Sequence, residues 1–283
     1  MSENSTWWTL LFNVDDDADL DSIGCELIER GAFGTELIGN DEIRCYFQGN
    51  ESELENLKNN ISDLPLKIKS SELLPSENWV QKCEDVWQQL DIDRISIIPV
   101  MSLEKGESLP PATAQKIYII PGCGFGTGHH ATTNQATAIL QSEILKNEKI
   151  TKVLDVGTGS GLLAIVANRI FNVPVDAFDN DSDAVNNARD NIILNGVQDN
   201  INLQVADAMS WNKGVYDLVI ANLYAELLEK LHDTLYNSTK IWLLISGFRS
   251  PDLPELSKFN NPLWERVDVR TQDNWSAMLL RKN

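Results

Sequence analysis

The chain has 283 residues, enough for one large domain or two smaller ones, and its 42% hydrophobic content is that of an ordinary globular protein. Its 42 acidic against 23 basic residues give a net charge of -19, which disfavours nonspecific binding to nucleic acid or anionic membranes and favours cationic partners. The four cysteines lack the paired spacing of metal ligands, and no apolar run reaches the roughly 18 residues of a membrane span. The first residues do not show the basic region followed by an apolar region that is typical of a signal peptide. We therefore expect a cytoplasmic protein with free thiols.

Residues 1–72 follow the order β-α-β-β-α-β, which is the ferredoxin-like arrangement. The sequence pattern predicts helices at residues 19–31 and 51–61, and strands at residues 6–14, 33–39, 42–49 and 64–73. A polar helical stretch, residues 76–90, comes after Pro75. We therefore predict a small α+β domain over residues 1–72 and a helical linker over residues 73–94.

Two β-rich runs come next, at residues 94–100 and 116–122, and a loop separates them. We expect them to form a hairpin that leads into the glycine-rich stretch PGCGFGTGHHATT, residues 121–133, and then into a helix beginning near Thr132.

From Lys152 onward, strand and helix patterns alternate, which predicts a parallel sheet with right-handed crossovers and helices on both faces. The five predicted strands are VLDV, PVDAFD, INLQVAD, YDLVIAN and IWLLISG. The tail, residues 264–283, adds two strands joined by a polar turn, so an antiparallel strand completes the sheet. We predict an α/β domain over residues 95–283, with a mostly parallel seven-stranded sheet of the Rossmann-like class.

Polar and glycine residues follow the strands of this sheet at the edge where ligands bind in doubly wound folds. Gly157 and Gly159 follow the first strand, Asp179 ends the second, Asp207 ends the third and Asn222 ends the fourth. An acid at the end of the second strand can accept hydrogen bonds from both ribose hydroxyls, so these positions indicate a nucleoside. The alternative is that Asp179 and Asn222 are solvated turn residues.

The glycine turn Gly157 to Gly161 reads G-x-G-x-G, and Leu162 stands where a dinucleotide fingerprint has its third glycine. The turn therefore fits the binding of a dinucleotide phosphate less well than the full fingerprint does. Together with the preceding VLDV, and with Asp179 placed 22 residues after Gly157, the turn resembles the first motif of S-adenosylmethionine-dependent methyltransferases of the Rossmann-like class.

A narrower resemblance extends from Pro121 to Gly247 through PGCGFGTGHHATT, DVGTGSG, DNDSDAVNNARDNIILNG and VIANLYAELL. These segments resemble the family of methyltransferases that act on protein eleven (L11) of the large ribosomal subunit. The family pattern differs at Cys123-Gly124, usually Leu-Ala, and at Ala131, usually Pro. The resemblance implies an N-terminal substrate-recognition domain and a basic ribosomal protein as substrate. It also implies S-adenosylmethionine contacts, for which the candidate residues are Thr132, Thr133, Gly157, Gly159, Asp179, Asp207 and Asn222. The alternative for Thr132 and Thr133 is a helix cap.

Methyl transfer to an amine is an in-line displacement that depends mainly on positioning. Asn222 can orient an amine through its carbonyl oxygen, and Tyr224 can line the approach to it. The motif N-P-P-Y of enzymes that methylate bases or amides is interrupted by Leu223 and Ala225, which disfavours nucleic-acid and glutamine substrates.

We expect a monomeric N-methyltransferase that acts on lysine and N-terminal amines of a ribosomal protein. We expect it to bind neither a metal ion nor, directly, nucleic acid. His129 and His130 have only His232 as a third imidazole and no acid cluster beside them, which disfavours a metal site. The alternatives are a methyltransferase of another protein or a small molecule, a nicotinamide-dependent oxidoreductase, and a noncatalytic binding module.

Overall fold

A computed structural model describes residues 7–14, 23–24, 26–27, 30–32, 34–38, 41–74, 89–100, 109–113, 115–120, 130–252 and 256–283. Its internal contacts divide the chain into two compact units, residues 1–87 and residues 88–283. The predicted linker helix at residues 76–90 and the glycine-rich stretch at residues 121–129 lie, apart from residues 89–90, outside the described residues.

The first unit contains one antiparallel sheet in the order β2-β3-β1-β4, which is the strand order of the predicted ferredoxin-like fold. Most of the predicted helix at residues 19–31 lies outside the described residues, but its Ile23 and Leu27 belong to the same buried apolar cluster as Phe12 and Ile43. Its elements are β1 (Trp7–Val14), β2 (Gly34–Ile38), β3 (Glu42–Gln48), α1 (Glu51–Asn60) and β4 (Leu66–Leu74).

The second unit is built on a seven-stranded sheet in the order β10-β9-β8-β11-β12-β14-β13. The first five of these strands are parallel, and the order reverses between β8 and β11, where doubly wound folds bind ligands. The strands are β8 (Val153–Val156), β9 (Val175–Asp179), β10 (Ile201–Val205), β11 (Tyr216–Asn222), β12 (Thr239–Arg249), β13 (Trp264–Gln272) and β14 (Trp275–Lys282).

The C-terminal hairpin completes the sheet as predicted, because β14 is antiparallel to both β12 and β13. Its turn residues Asp273 and Asn274 have φ of 50° and 65°, the left-handed values that a tight two-residue turn requires. The prediction of a mostly parallel seven-stranded sheet is confirmed.

Helices cover both faces of this sheet, and a cluster of buried apolar side chains lies under each face. Seven of the ten residues of the helix after β8 are buried, which explains its apolar sequence LLAIVANRIF. The helices are α2 (Ala131–Leu140), α3 (Glu143–Lys146), α4 (Leu162–Phe171), α5 (Ser182–Leu194) and α6 (Ala225–Ser238). Among the described residues no helix is both long and apolar enough to cross a membrane.

The predicted hairpin between residues 94–100 and 116–122 is wrong. These runs form β6 (Ile95–Pro99) and β7 (Lys116–Ile119), which are parallel. The antiparallel partner of β6 is the short β5 (Leu90–Ile92), and Asp93 in the turn between them has φ of 51°. The connection from β6 to β7 is long enough for a parallel crossover, whereas a two-residue turn enforces antiparallel pairing.

Side chains at the C-terminal end of α5, including its cap residue Asn195, fix the end of β7. Asn195 accepts a hydrogen bond from the Tyr118 amide (3.0 Å) and donates one to its carbonyl (2.6 Å), and Asn191 accepts from the Ile120 amide (2.7 Å). These two asparagines satisfy backbone groups of β7 and of the residue after it, and so hold the strand that leads towards α2.

Candidate functional site

The glycine turn connects β8 to α4 at the carboxyl edge of the parallel strands. Gly157, Gly159 and Gly161 all have positive φ, at 67°, 53° and 80°. A β-carbon on Gly157 would lie 2.6 Å from Cδ2 of Leu223, and one on Gly161 would lie 3.1 Å from Cβ of Ala188. Both the backbone conformation and the close packing therefore require glycine here.

Asp155 lies in β8 just before this turn, and only 2% of its surface is exposed. Thr158 donates its hydroxyl hydrogen bond to Oδ2 of Asp155 (2.7 Å), and the Ala164 amide at the start of α4 also donates to the carboxyl. Burial, together with the nearby charge of Asp179, outweighs the lowering effect of these donors and raises the pKa of Asp155 to about 7. Asp155 thus connects the glycine turn to the start of α4. The sequence analysis did not predict this role, although an acid within an apolar strand is a signal for it.

Asp155→Asn is expected to change how stability depends on pH. The raised pKa means that the folded protein holds a proton that the unfolded chain releases, so this contribution is complete below about pH 4 and is lost as the pH rises through about 7. Between those values the free energy of unfolding should fall by up to about 1.4 kcal/mol per pH unit in the parent relative to Asp155→Asn. Urea unfolding of both proteins at several pH values measures this, and parallel curves would contradict it.

Asp179 ends β9 beside the turn and is half-buried. Its Oδ2 accepts a hydrogen bond from the Gly159 amide (2.9 Å), and its Oδ1 accepts one from the Asp181 amide (3.1 Å). Each carboxylate oxygen has a second lone pair, so both oxygens can accept a further hydrogen bond from a ligand. The structure therefore brings together Asp179 and Gly159, two of the predicted cofactor residues.

Asn222 ends β11, and neighbouring side chains hold both ends of its amide. Its Nδ2 donates to the Thr133 hydroxyl on α2 (3.1 Å), and the Ser246 hydroxyl on β12 donates to its Oδ1 (2.8 Å). Thr133 and Ser246 are almost completely buried. The contact between Thr133 and Asn222 joins two further predicted residues, whereas Ser246 was not predicted.

The cap of α2 is His130, not a threonine, because Nδ1 of His130 accepts from the Thr132 amide (3.3 Å). The Thr132 hydroxyl lies 2.8 Å from the same nitrogen and is fully buried. The side chain of Thr132 is thus engaged within its own turn, and of the two threonines it is Thr133 that contacts Asn222.

Asp207 lies just after β10, at the same edge of the sheet as Asp179, since the Ala206 amide donates to the Asp179 carbonyl (2.9 Å). The exposed Asp207 carboxylate caps a 3-10 turn by accepting from the Met209 amide (2.8 Å).

The third histidine belongs to the core. Nε2 of His232 accepts from Nε1 of Trp264 (3.2 Å), and its ring packs edge-on against Phe259. Within the described ranges no group of three His, Cys, Asp or Glu side chains is arranged to hold a metal ion. His129 lies outside those ranges.

Known proteins match this chain along most of its length. Residues 17–283 match the family described as "Ribosomal protein L11 methyltransferase (PrmA)". The ribosomal protein L11 methyltransferase of Phocaeicola vulgatus is 32% identical over 249 residues, covering 83% of this chain and 84% of the relative. That of an Exiguobacterium species is 30% identical over 242 residues, covering 81% and 74%.

The crystal structure of ribosomal protein L11 methylase from Lactobacillus delbrueckii subsp. bulgaricus superposes with a TM-score of 0.59 at 26% identity. The match covers 69% of this chain and 99% of that one. These matches confirm the resemblance carried by the glycine-rich motifs: the chain belongs to the ribosomal protein L11 methyltransferase family.

Proposed function

We propose that this protein transfers methyl groups from S-adenosylmethionine to lysine and N-terminal amines of ribosomal protein L11. The observation that carries the proposal is the pair of contacts at one edge of the sheet, Asp179 to Gly159 and Asn222 to Thr133, in a member of this family. The proposal includes action in the cytoplasm, as a monomer, without direct binding of nucleic acid.

The turn and its surroundings suit S-adenosylmethionine better than a phosphate-bearing dinucleotide. Residues 155–162 contain no basic side chain, and Leu162 is buried at the start of α4 in place of a third glycine. Asp179 can accept ribose hydroxyls with both carboxylate oxygens, and Gly157, Gly159 and Asp207 lie around it at the same edge. When bound, the cofactor would supply an electrophilic methyl group on a cationic sulfonium.

Asn222 would orient the incoming amine. Its Oδ1 accepts one hydrogen bond from Ser246 and has a second lone pair for an amine N–H. Because Ser246 and Thr133 hold the two ends of the amide, that lone pair points in a fixed direction, which favours an in-line approach.

The amine must lose its proton before it reacts, and burial next to a cation lowers a lysine pKa. No strong general base is therefore required among the residues of the site. Tyr224, which is 51% exposed at the start of α6, would line the path by which the lysine side chain arrives.

The N-terminal unit would recruit the substrate, because the described candidate cofactor residues all belong to the unit of residues 88–283. A basic ribosomal protein suits the acidic chain electrostatically, since opposite charges speed encounter and align the partners.

A chain shortened to begin at Ser76 is expected to bind S-adenosylmethionine with the affinity of the full chain, yet to methylate intact L11 roughly tenfold or more slowly through lost effective concentration. A short lysine peptide, which needs no recruitment, is the control and should react equally with both. Equal rates on intact L11 would disprove recruitment, and lost cofactor binding by a folded shortened chain would disprove the domain boundary.

The class of acceptor can be tested by label transfer. The purified protein is incubated with tritiated S-adenosylmethionine in three separate reactions. One contains L11, one the remaining ribosomal proteins and one ribosomal RNA. We expect label in L11. Label in RNA alone would contradict the proposal of a protein substrate. Label only in other ribosomal proteins would contradict the proposal that L11 is the substrate.

A further inference from the structure

Leu223 follows Asn222, and its main chain lies directly against β12. Its amide donates to the Ser246 carbonyl (2.9 Å). A β-carbon on Gly247, where φ is 94°, would lie 2.5 Å from the Leu223 carbonyl oxygen and 2.8 Å from its carbonyl carbon and amide nitrogen. The pairing of β12 with β14 shifts register between Ser246 and Phe248, so Gly247 lies at an irregularity of the strand. Only glycine lets the Leu223 peptide lie so close to β12.

The side chain of Leu223 points to the glycine turn. Its Cδ2 is 2.6 Å, and its Cγ 3.5 Å, from the place that a β-carbon on Gly157 would occupy. Leu223 is half-buried and packs against the apolar cluster beneath this part of the sheet. One residue therefore contacts the turn through its side chain and β12 through its main chain.

We propose that Leu223 is a positioning residue that sets the glycine turn relative to the amide of Asn222, an inference that rests on the proposed function. Ser246 supports the arrangement twice, since its carbonyl accepts from the Leu223 amide and its hydroxyl donates to Oδ1 of Asn222. Methyl donor and acceptor are thereby held on two segments joined at Leu223. An in-line methyl transfer becomes slower when the segments that hold donor and acceptor shift by as little as about 1 Å. Leucine, which interrupts the N-P-P-Y pattern at this position, thus has a role of its own.

Two glycines provide a matched test in the full chain, because a methyl group on each would meet a different part of Leu223. On Gly157 it would meet the tip of the side chain, and on Gly247 it would meet the backbone. Leu223→Ala removes the first obstacle and leaves the second in place. It should therefore rescue Gly157→Ala and not Gly247→Ala.

Calorimetry with S-adenosylmethionine, and kcat and KM for methylation of L11, give the readouts. We expect Gly157→Ala to weaken cofactor binding about tenfold or more, and added Leu223→Ala to recover part of this loss, the left-handed backbone strain remaining. We expect Gly247→Ala to lower kcat about tenfold or more, with less than about a threefold change in cofactor Kd and in KM, and no recovery on adding Leu223→Ala. The absence of rescue at Gly157, or parental kcat in a folded Gly247→Ala variant, would overturn the proposal.

If the glycine variants do not fold, Leu223→Ala and the volume-conserving Leu223→Met decide the matter. Leu223→Ala should lower kcat/KM about tenfold and Leu223→Met less than about threefold, and parental kcat/KM in folded Leu223→Ala would overturn the proposal. Failure of the proposed function would look different, because the parent itself would then bind no cofactor or leave L11 unmodified. In that case the rescue of Gly157→Ala would be read from unfolding temperatures, and its absence there would overturn the positioning role.

Discussion

Asp179→Ala is expected to weaken binding of S-adenosylmethionine by roughly 10- to 100-fold. The change would leave buried ribose hydroxyls without an acceptor, at a cost of about 1–3 kcal/mol, and would remove the hydrogen bond that holds the Gly159 amide. Calorimetry measures the dissociation constant. Asp190→Ala, which removes the same charge from an exposed position on α5, is the matched control and should bind like the parent.

Two outcomes would count against this assignment of the cofactor. One is unchanged affinity for S-adenosylmethionine in a folded Asp179→Ala variant. The other is a parent that prefers NADH, which would favour the oxidoreductase alternative.

Asn222→Ala is expected to lower kcat roughly 100-fold while weakening cofactor binding much less. The amide would orient the amine in the transition state, and removing one preorganised polar group at a reacting centre costs about 10²- to 10³-fold in rate. Single-turnover methylation of L11 and cofactor calorimetry separate the two effects. Equal losses in rate and in cofactor affinity would remove the role in catalysis.

Thr133→Val provides the graded control for this experiment. It keeps the shape of the buried side chain but removes the acceptor for Nδ2 of Asn222. The amide would then be held only by Ser246, so we expect a fall in kcat smaller than that of Asn222→Ala.

Much of the fold could be predicted because the relevant signals are local. Short strand patterns, with helical patterns between the earlier ones, predicted the parallel sheet, and the short polar turn within residues 264–283 predicted the last hairpin. The direction of β7 could not be predicted in this way. It depends on Asn191 and Asn195, more than seventy residues away along the chain, and on the three-residue strand β5, which carries too little pattern to detect.

The residues of the site also fall into those that the sequence could predict and those that it could not. Gly157, Asp179 and Asn222 stand at strand ends, where the fold class itself predicts ligand contacts, and Thr133 came from the family resemblance. Ser246 and Leu223 gave no such signal, because each acts through a contact between segments that only the folded sheet brings together. Asp155 was visible as an acid within an apolar strand, but its function depends on burial that the pattern alone did not establish.

Mass spectrometry of L11 tests the central claim most directly. Purified L11 is incubated with this protein and S-adenosylmethionine, with the Asp179→Ala variant as the matched control, and intact masses are followed by fragmentation to locate the modified atoms. The proposed function predicts stepwise addition of methyl groups to lysine or N-terminal amines of L11, strongly reduced with Asp179→Ala. Unmodified L11 in the presence of a parent protein that binds S-adenosylmethionine would contradict it.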